Sequence, residues 1–238
     1  MTSIILGGAV AENFSENTAK QVEIDLSMLT RHGVIAGATG TGKTVSLQVL
    51  IEQLSQQGIP VFTADAKGDL AGLAAAGTPH EKIDERLDFI GLEKGKDFIQ
   101  KGVPAVFWDI YGKNGHPIRT TVSEMGPLLL SRLLDLSDTQ DAILHMIFKI
   151  ADDEGLLLID LKDLKSVVQF VGQNRKEFSL EYGNVSTASL NAITRQILVL
   201  EEAGGDEFFG EVAFDLNQLL KKDFSGNGVV NILDGIPF

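Results

Sequence analysis

Hydrophobic positions change their spacing twice along the chain, and the changes divide it. Gln21 to Leu26 alternates, with Val22, Ile24 and Leu26 on one side and Glu23 and Asp25 on the other, which predicts a half-buried strand. Gly33-Val34-Ile35-Ala36 is a compact apolar run starting at a glycine, and predicts a short buried core strand. From Val45 to Gln57 the spacing becomes helical, with Leu47, Leu50, Ile51 and Leu54 on one face and Gly58 as the stop. Pro60 to Asp65 then reads as a second core strand, parallel to Gly33–Ala36 because the connection is helical. Thr78-Pro79-His80-Glu81 predicts a helix start, with Thr78 as cap, Pro79 at the first helical position and Glu81 completing a capping box. Ile83, Leu87 and Ile90 form its face, and Gly91 its end. Val103 to Trp108 is a third core strand.

Ile118 to Val122 suggests one more short strand, and from Pro127 helical stripes follow one another. Leu128–Leu134 is the first. Ser137 and Gln140 make a capping box for a helix carrying Ile143, Ile147 and Ile150 and stopping at Gly155. Asp160, Ser186 and Asp215 read as caps of helices over 161–172, 187–203 and 216–222. After the turn signal Ser225-Gly226-Asn227-Gly228, Val229 to Leu233 returns as a sheet strand. The expected fold class is α/β, a parallel sheet interrupted by an inserted all-helical subdomain. Residues 1–30 form an N-terminal strand and loops, 31–112 the core, 113–224 the insertion and 225–238 the returning strand.

At 238 residues, 44% hydrophobic and 22% charged, the chain can bury one α/β core with an insertion. No run approaches the roughly 18 apolar residues of a membrane span, and no basic residue precedes Ile4-Ile5-Leu6, so a cytoplasmic location without membrane partners is expected. Without cysteine there are no disulfides or thiolate metal sites, and the four histidines are scattered. The net charge of −13 argues against a surface that binds nucleic acid everywhere, while leaving room for a local basic channel. Lys94, Lys96 and Lys101 alternate with Glu93 and Asp97, as on a solvated face.

The candidate chemistry lies between the first core strand and its helix. Gly37-Ala38-Thr39-Gly40-Thr41-Gly42-Lys43-Thr44 fits the phosphate-loop pattern G-x-x-x-x-G-K-[ST]. The glycines let the backbone approach phosphate, Lys43 puts a cation on the β and γ phosphates, and Thr44 offers a hydroxyl to Mg²⁺. A nucleotide with Mg²⁺ is thus the expected ligand pair. Ligands of open α/β sheets gather at the carboxyl ends of strands, which places Asp65 and Asp69 near the phosphates. Asp65 is taken as a nucleotide-site residue, as an outer-shell Mg²⁺ contact or a water holder. Asp69 is either that or the cap of the short helix after it. Asp109, also at a strand end, is a candidate Mg²⁺ carboxylate, but Ile110 rather than a second acid follows it. Asp160 is read as a helix cap despite Leu157-Leu158-Ile159 before it. Arg31 and His32 are open between nucleotide contact and packing. No strand ends in the acidic pair that efficient hydrolysis needs. Arg119, Arg132, Arg175 and Arg195 are dispersed, unlike the lid of a small-molecule phosphotransferase.

These residues resemble a family, the bacterial HerA-like proteins of YjgR type, within the HerA/FtsK superfamily of ring-forming P-loop ATPases. The resemblance rests on Arg31-His32-Gly33 leading into Ala36 to Thr44, on Asp65-Ala66-Lys67-Gly68-Asp69-Leu70, on Phe107-Trp108-Asp109 and on Thr121 to Leu130. Asp160-Leu161-Lys162-Asp163-Leu164 and Tyr182-Gly183-Asn184-Val185-Ser186 extend it through the helical region. It implies a P-loop NTPase fold of RecA/FtsK type and a helicase-like ATPase whose relatives translocate DNA as hexamers. Lys43 and Thr44 are then the phosphate and Mg²⁺ residues. Family members continue into a Walker B strand, so the resemblance makes this sequence an amino-terminal portion with the sheet incomplete on its C-terminal side, binding ATP rather than hydrolysing it efficiently. An alternative is a nucleotide-gated scaffold that works through its helical insertion.

Overall fold

The β-branched run Val229-Val230-Asn231-Ile232 supplies the centre of the sheet although it comes last in the chain. In the computed structural model, which describes residues 3–9 and 20–235, β6 (Val230–Asp234) lies between β3 (Val61–Asp65) and β4 (Ala105–Asp109). Both neighbours run parallel to it, with Val61 and Ala105 both opposite Val230 and with Asp65 opposite Asp234. Strands buried on both faces are continuously apolar, and β6 is covered at Val230, Asn231 and Ile232. The buried Asn231 is satisfied: it accepts from Trp108 Nε1 at 3.0 Å and donates to the carbonyls of Val61, Leu219 and Val229.

Two compact units are present, one comprising residues 1–108 and 216–238, the other Asp109–Asp215. In the first, β1 (Ser3–Ala9) pairs antiparallel with β2 (Lys20–Asp25) in a separate two-stranded sheet. Residues 10–19, where loops are expected, lie outside the described residues. α1 (Lys43–Gln56) follows the glycine-rich loop Gly37–Gly42. Its Ile51 enters the core with Leu70, Leu73, Val103, Val230 and Ile232, and its Gln53 side chain clasps both backbone groups of Ile5 in β1. α2 (Glu81–Ile90) ends on Gly91 at φ 74° as expected, but starts later than the sequence suggests. His80, not Thr78, is its cap, because the imidazole Nδ1 accepts from the Lys82 amide at 3.2 Å. Short 3₁₀ turns cover Leu26–Thr30, Ala71–Ala74 and Leu216–Leu220; the last replaces the helix expected over 216–222.

Two expected strands are absent, Gly33–Ala36 in this unit and Ile118–Val122 in the other. Gly33–Ala36 joins no ladder, and Val34 is 90% exposed. An apolar run forms a buried strand only where a neighbour completes its hydrogen bonds; β3, its expected partner, pairs with β6 on one side, and among the described residues no strand joins its other side.

The second unit is helical apart from β5, a two-residue strand at His116–Pro117. α3 (Val122–Leu133) starts at a Thr121–Glu124 capping box where a strand over 118–122 is expected, and bends at Gly126, φ 70°, before Pro127. α4 (Asp138–Asp153), α5 (Leu161–Gln173), α6 (Arg175–Glu181), α7 (Thr187–Glu202) and α8 (Gly205–Phe208) follow. The predicted stripe of α4, Ile143, Ile147 and Ile150, is buried with Leu161, Leu164, Val168 and Val171 of α5 and Ile193 and Ile197 of α7. Asp160 accepts from the Asp163 amide at 2.9 Å, the cap that its sequence setting suggests.

Candidate nucleotide site

α1 begins at Lys43 itself, so both Lys43 and Thr44 sit in its first turn. The turn is reached through Gly40 and Gly42, which hold φ of 81° and 91°, left-handed values that a side chain rarely adopts. Gly42 is the cap residue, and no side chain accepts from the amides that follow it. A 14-residue helix therefore presents its positive end with no side-chain cap over it. At Gly40 and Gly42 nothing lies within 4 Å of the position of an added Cβ, so the approach is open there.

Three donors in the loop converge instead on one carbonyl. The Ala38 oxygen accepts from Lys43 Nζ at 2.7 Å, from Thr41 Oγ1 at 2.8 Å and from the Thr41 amide at 3.4 Å. The Lys43 ammonium thus lies over the loop, outside the core. Thr39 completes the loop, which is exposed from Gly37 to Thr41.

The acidic residues at strand ends separate into two kinds. Asp65, only 5% exposed, accepts at Oδ1 from the amides of Lys67 and Gly68 and at Oδ2 from Leu70. Burial pushes its carboxyl up, and the Leu70, Lys67, Gly68 and Asp69 amides more than offset this, leaving it below the ordinary carboxylate value. Asp109 is built the same way, its oxygens taken by the amides of Tyr111, Lys113 and Asn114. Burial again opposes, and the amides of Asn114, Tyr111 and Lys113 with the Lys113 charge hold it low. A carboxylate offers about four acceptor positions. Three are used within each turn, so both residues shape the turns that follow their strands.

Asp69 differs. Its Oδ2 accepts from Thr44 Oγ1 at 3.0 Å, and its backbone oxygen accepts from Gln48 Nε2 at 2.8 Å. It does not cap the turn after it, whose cap residue is Leu70 with no side-chain bond. Sequence alone leaves Asp69 between these roles and gives no signal for Gln48, which there belongs to the polar face of α1.

One hydroxyl and one free carboxylate are too few for a Mg²⁺ that needs six oxygens, but suit an ion that keeps waters and arrives with phosphate oxygens. An uncapped helix end, an ammonium and a hydroxyl likewise suit a triphosphate. Among the described residues no cluster of three or more His, Asp or Glu could hold a metal, and no helix is long and apolar enough to cross a membrane. Lys94 pairs with Asp84 and Lys96 with Glu93 on exposed surface.

No curated protein matches the chain. A family model described as helicase HerA-like C-terminal matches residues 11–236, nearly the whole sequence. The chain belongs to the HerA-like C-terminal helicase family.

Proposed function

We propose that the chain is the ATP-binding part of a HerA/FtsK-type P-loop ATPase acting in the cytoplasm, with Gly37–Thr44 as the triphosphate cradle. The carrying observation is the first turn of α1, where free amides, the Lys43 ammonium and the Thr44 hydroxyl share one exposed end. Lys43 neutralises the β and γ phosphates, the loop amides fix their oxygens, and Thr44 supplies a Mg²⁺ ligand. Bound ATP supplies the phosphoryl group whose cleavage drives motors of this kind. Family membership supports DNA as the translocated partner and a homo-hexamer as the assembly, and the motifs around Asp65 and Phe107 favour the YjgR-type branch. Asp65 and Asp109 being committed to their turns, the chain binds ATP and turns it over at background.

Titration with a fluorescent ATP analogue in Mg²⁺ tests this. Lys43→Ala removes a charge-assisted phosphate contact of about 1.5–3 kcal/mol, a loss of at least about tenfold. Equal binding by both proteins defeats the reading.

One observation favours the scaffold reading. The Asp109–Asp215 unit has nine Lys and Arg against eighteen Asp and Glu, a surface that repels nucleic-acid phosphates and suits a basic protein partner. DNA-stimulated ATPase activity in the assembled protein supports the motor, and its absence the scaffold.

A further inference from the structure

We propose that Asp69 is the positioning residue that orients the Thr44 hydroxyl for Mg²⁺ and thereby sets how strongly nucleotide binding depends on the metal. The inference rests on the nucleotide-binding reading of the loop and adds to it which acid serves the metal corner.

A threonine hydroxyl has one hydrogen and two lone pairs, and it rotates to suit its surroundings. Here the hydrogen is directed to Asp69 Oδ2, 3.0 Å away, so the lone pairs face elsewhere and are available to a cation. Without that acceptor the hydroxyl is free to turn its hydrogen toward the metal. Partners of this kind fix the orientation of a metal ligand and raise its basicity.

Asp69 is held where this requires. Gln48, one turn further along the helix that carries Thr44, binds the Asp69 carbonyl. Asp65 pins the turn before it through the Lys67 and Gly68 amides and the residue after it through Leu70. Gly68, at φ 78°, makes the turn between them. The side chain is itself exposed, and its Oδ1 accepts no hydrogen bond among the described residues. That oxygen remains for the hydrogens of metal-bound water. The two acids at strand ends lack this freedom, and the role of a helix cap is taken by another residue.

The test is a thermodynamic cycle on the full chain. Binding of a fluorescent ATP analogue is measured in Mg²⁺ and in EDTA for the wild type, Asp69→Ala, Asp69→Asn and Lys43→Ala, with far-UV circular dichroism and Tm as folding controls. Loss of such a partner typically costs 10- to 100-fold in metal affinity. Asp69→Ala should therefore lose at least about tenfold of the Mg²⁺ enhancement while binding in EDTA stays unchanged. Asp69→Asn keeps an acceptor oxygen without the charge, and should fall between. Equal losses in Mg²⁺ and EDTA mean a purely structural role and overturn the proposal, as does an unchanged enhancement. If Asp69→Ala does not fold, the same two criteria are applied to Asp69→Asn. A wild type that binds in neither condition, or a Lys43→Ala protein that binds as the wild type does, overturns the loop reading itself. Lys43→Ala failing while Asp69→Ala matches the wild type overturns only the role of Asp69.

Discussion

Replacing Gly228 with alanine should destabilise the sheet unit by about 3 kcal/mol or more, through close packing alone. A Cβ there would stand 2.2 Å from the backbone carbon and oxygen of Ile59 and 2.5 Å from the Pro60 nitrogen. Ordinary contact begins near 3.4 Å, and the obstructing atoms are backbone, so the two segments must separate by about 1 Å. Separation strains two bonds to Ser55, a residue with no exposed surface. Its hydroxyl donates to the Gly228 carbonyl at 2.6 Å, and its carbonyl accepts from the Gly228 amide at 2.8 Å. Overpacking costs about 1–3 kcal/mol and each weakened bond about 1 kcal/mol. The sum is a large share of the 5–15 kcal/mol typical of a whole domain. Urea unfolding of Gly228→Ala, followed by circular dichroism, should show this loss. Gly72→Ala is the control, since nothing lies within 4 Å of its added Cβ. If Gly228→Ala falls within about 0.5 kcal/mol of the wild type, the packing of the segment before β6 against the connection from α1 to β3 is looser than the contacts imply.

Two titrations check the electrostatics. Asp65 has its folded pKa lowered, so its contribution to stability is full above the ordinary carboxyl value of 3.8 and is lost as pH falls through the folded one. Tm should drop below about pH 4, and Asp65→Asn should flatten that drop; an unchanged slope counts against the three-amide geometry. Tyr182 is pushed up to about 12 by its hydrogen bond to Asp153, with burial and the Asp153 charge adding to it. In a Tyr111→Phe background the single phenolate band should appear near 12, and Asp153→Asn should bring it back toward 10. The stabilising contribution of this phenol is present below pH 10 and lost as pH rises through the folded value.

Helix ends were readable from sequence because capping is local. Ser137 with Gln140, Asp160 with Asp163, Ser186, Gly91 and Gly155 each bond or turn within five residues of the end they mark. A local signal can still mislead: Thr78 reads as the cap, and the chain uses His80 two residues on, a residue type that sequence reasoning did not consider for the role. Thr121 with Glu124 also forms a capping box, hidden in a stretch whose apolar residues suggest a strand. Strand neighbours are a long-range property. Val229–Leu233 reads as a strand, but nothing local says that it divides β3 from β4, or that Gly33–Ala36 has no ladder. The run from Gly37 to Thr44 is a local signal as well, glycine, lysine and threonine at fixed spacing marking a candidate site without reference to the rest of the chain. The different settings of Asp65 and Asp69 were not legible, since two carboxylates four positions apart differ only in the donors that folding brings to them, backbone amides to one and the Thr44 hydroxyl to the other.

The two units are built on cores of very different size, and this fixes where a ligand effect must appear. Among the described residues twenty buried hydrophobic side chains form the core cluster of the helical unit, against six in the main cluster of the unit that carries the loop, where Ile4, Leu87, Ile90 and Trp108 are buried outside it. At about 1.5–3 kcal/mol per buried aliphatic or aromatic side chain, the gross difference exceeds any single interaction described above. Amides in α4, α5 and α7 should therefore exchange most slowly with solvent, and those of α1 and β3 open at lower free energy. Nucleotide at a hundred times its Kd stabilises the state that binds it by about 2.7 kcal/mol, or roughly a hundredfold in exchange through that opening. Hydrogen exchange with Mg²⁺ and ATP should accordingly slow the amides of β3, β6 and α1 and leave those of α5 and α7 unchanged. Equal slowing in both units would mean that they open together, and protection of α7 alone would move the binding site out of the phosphate loop.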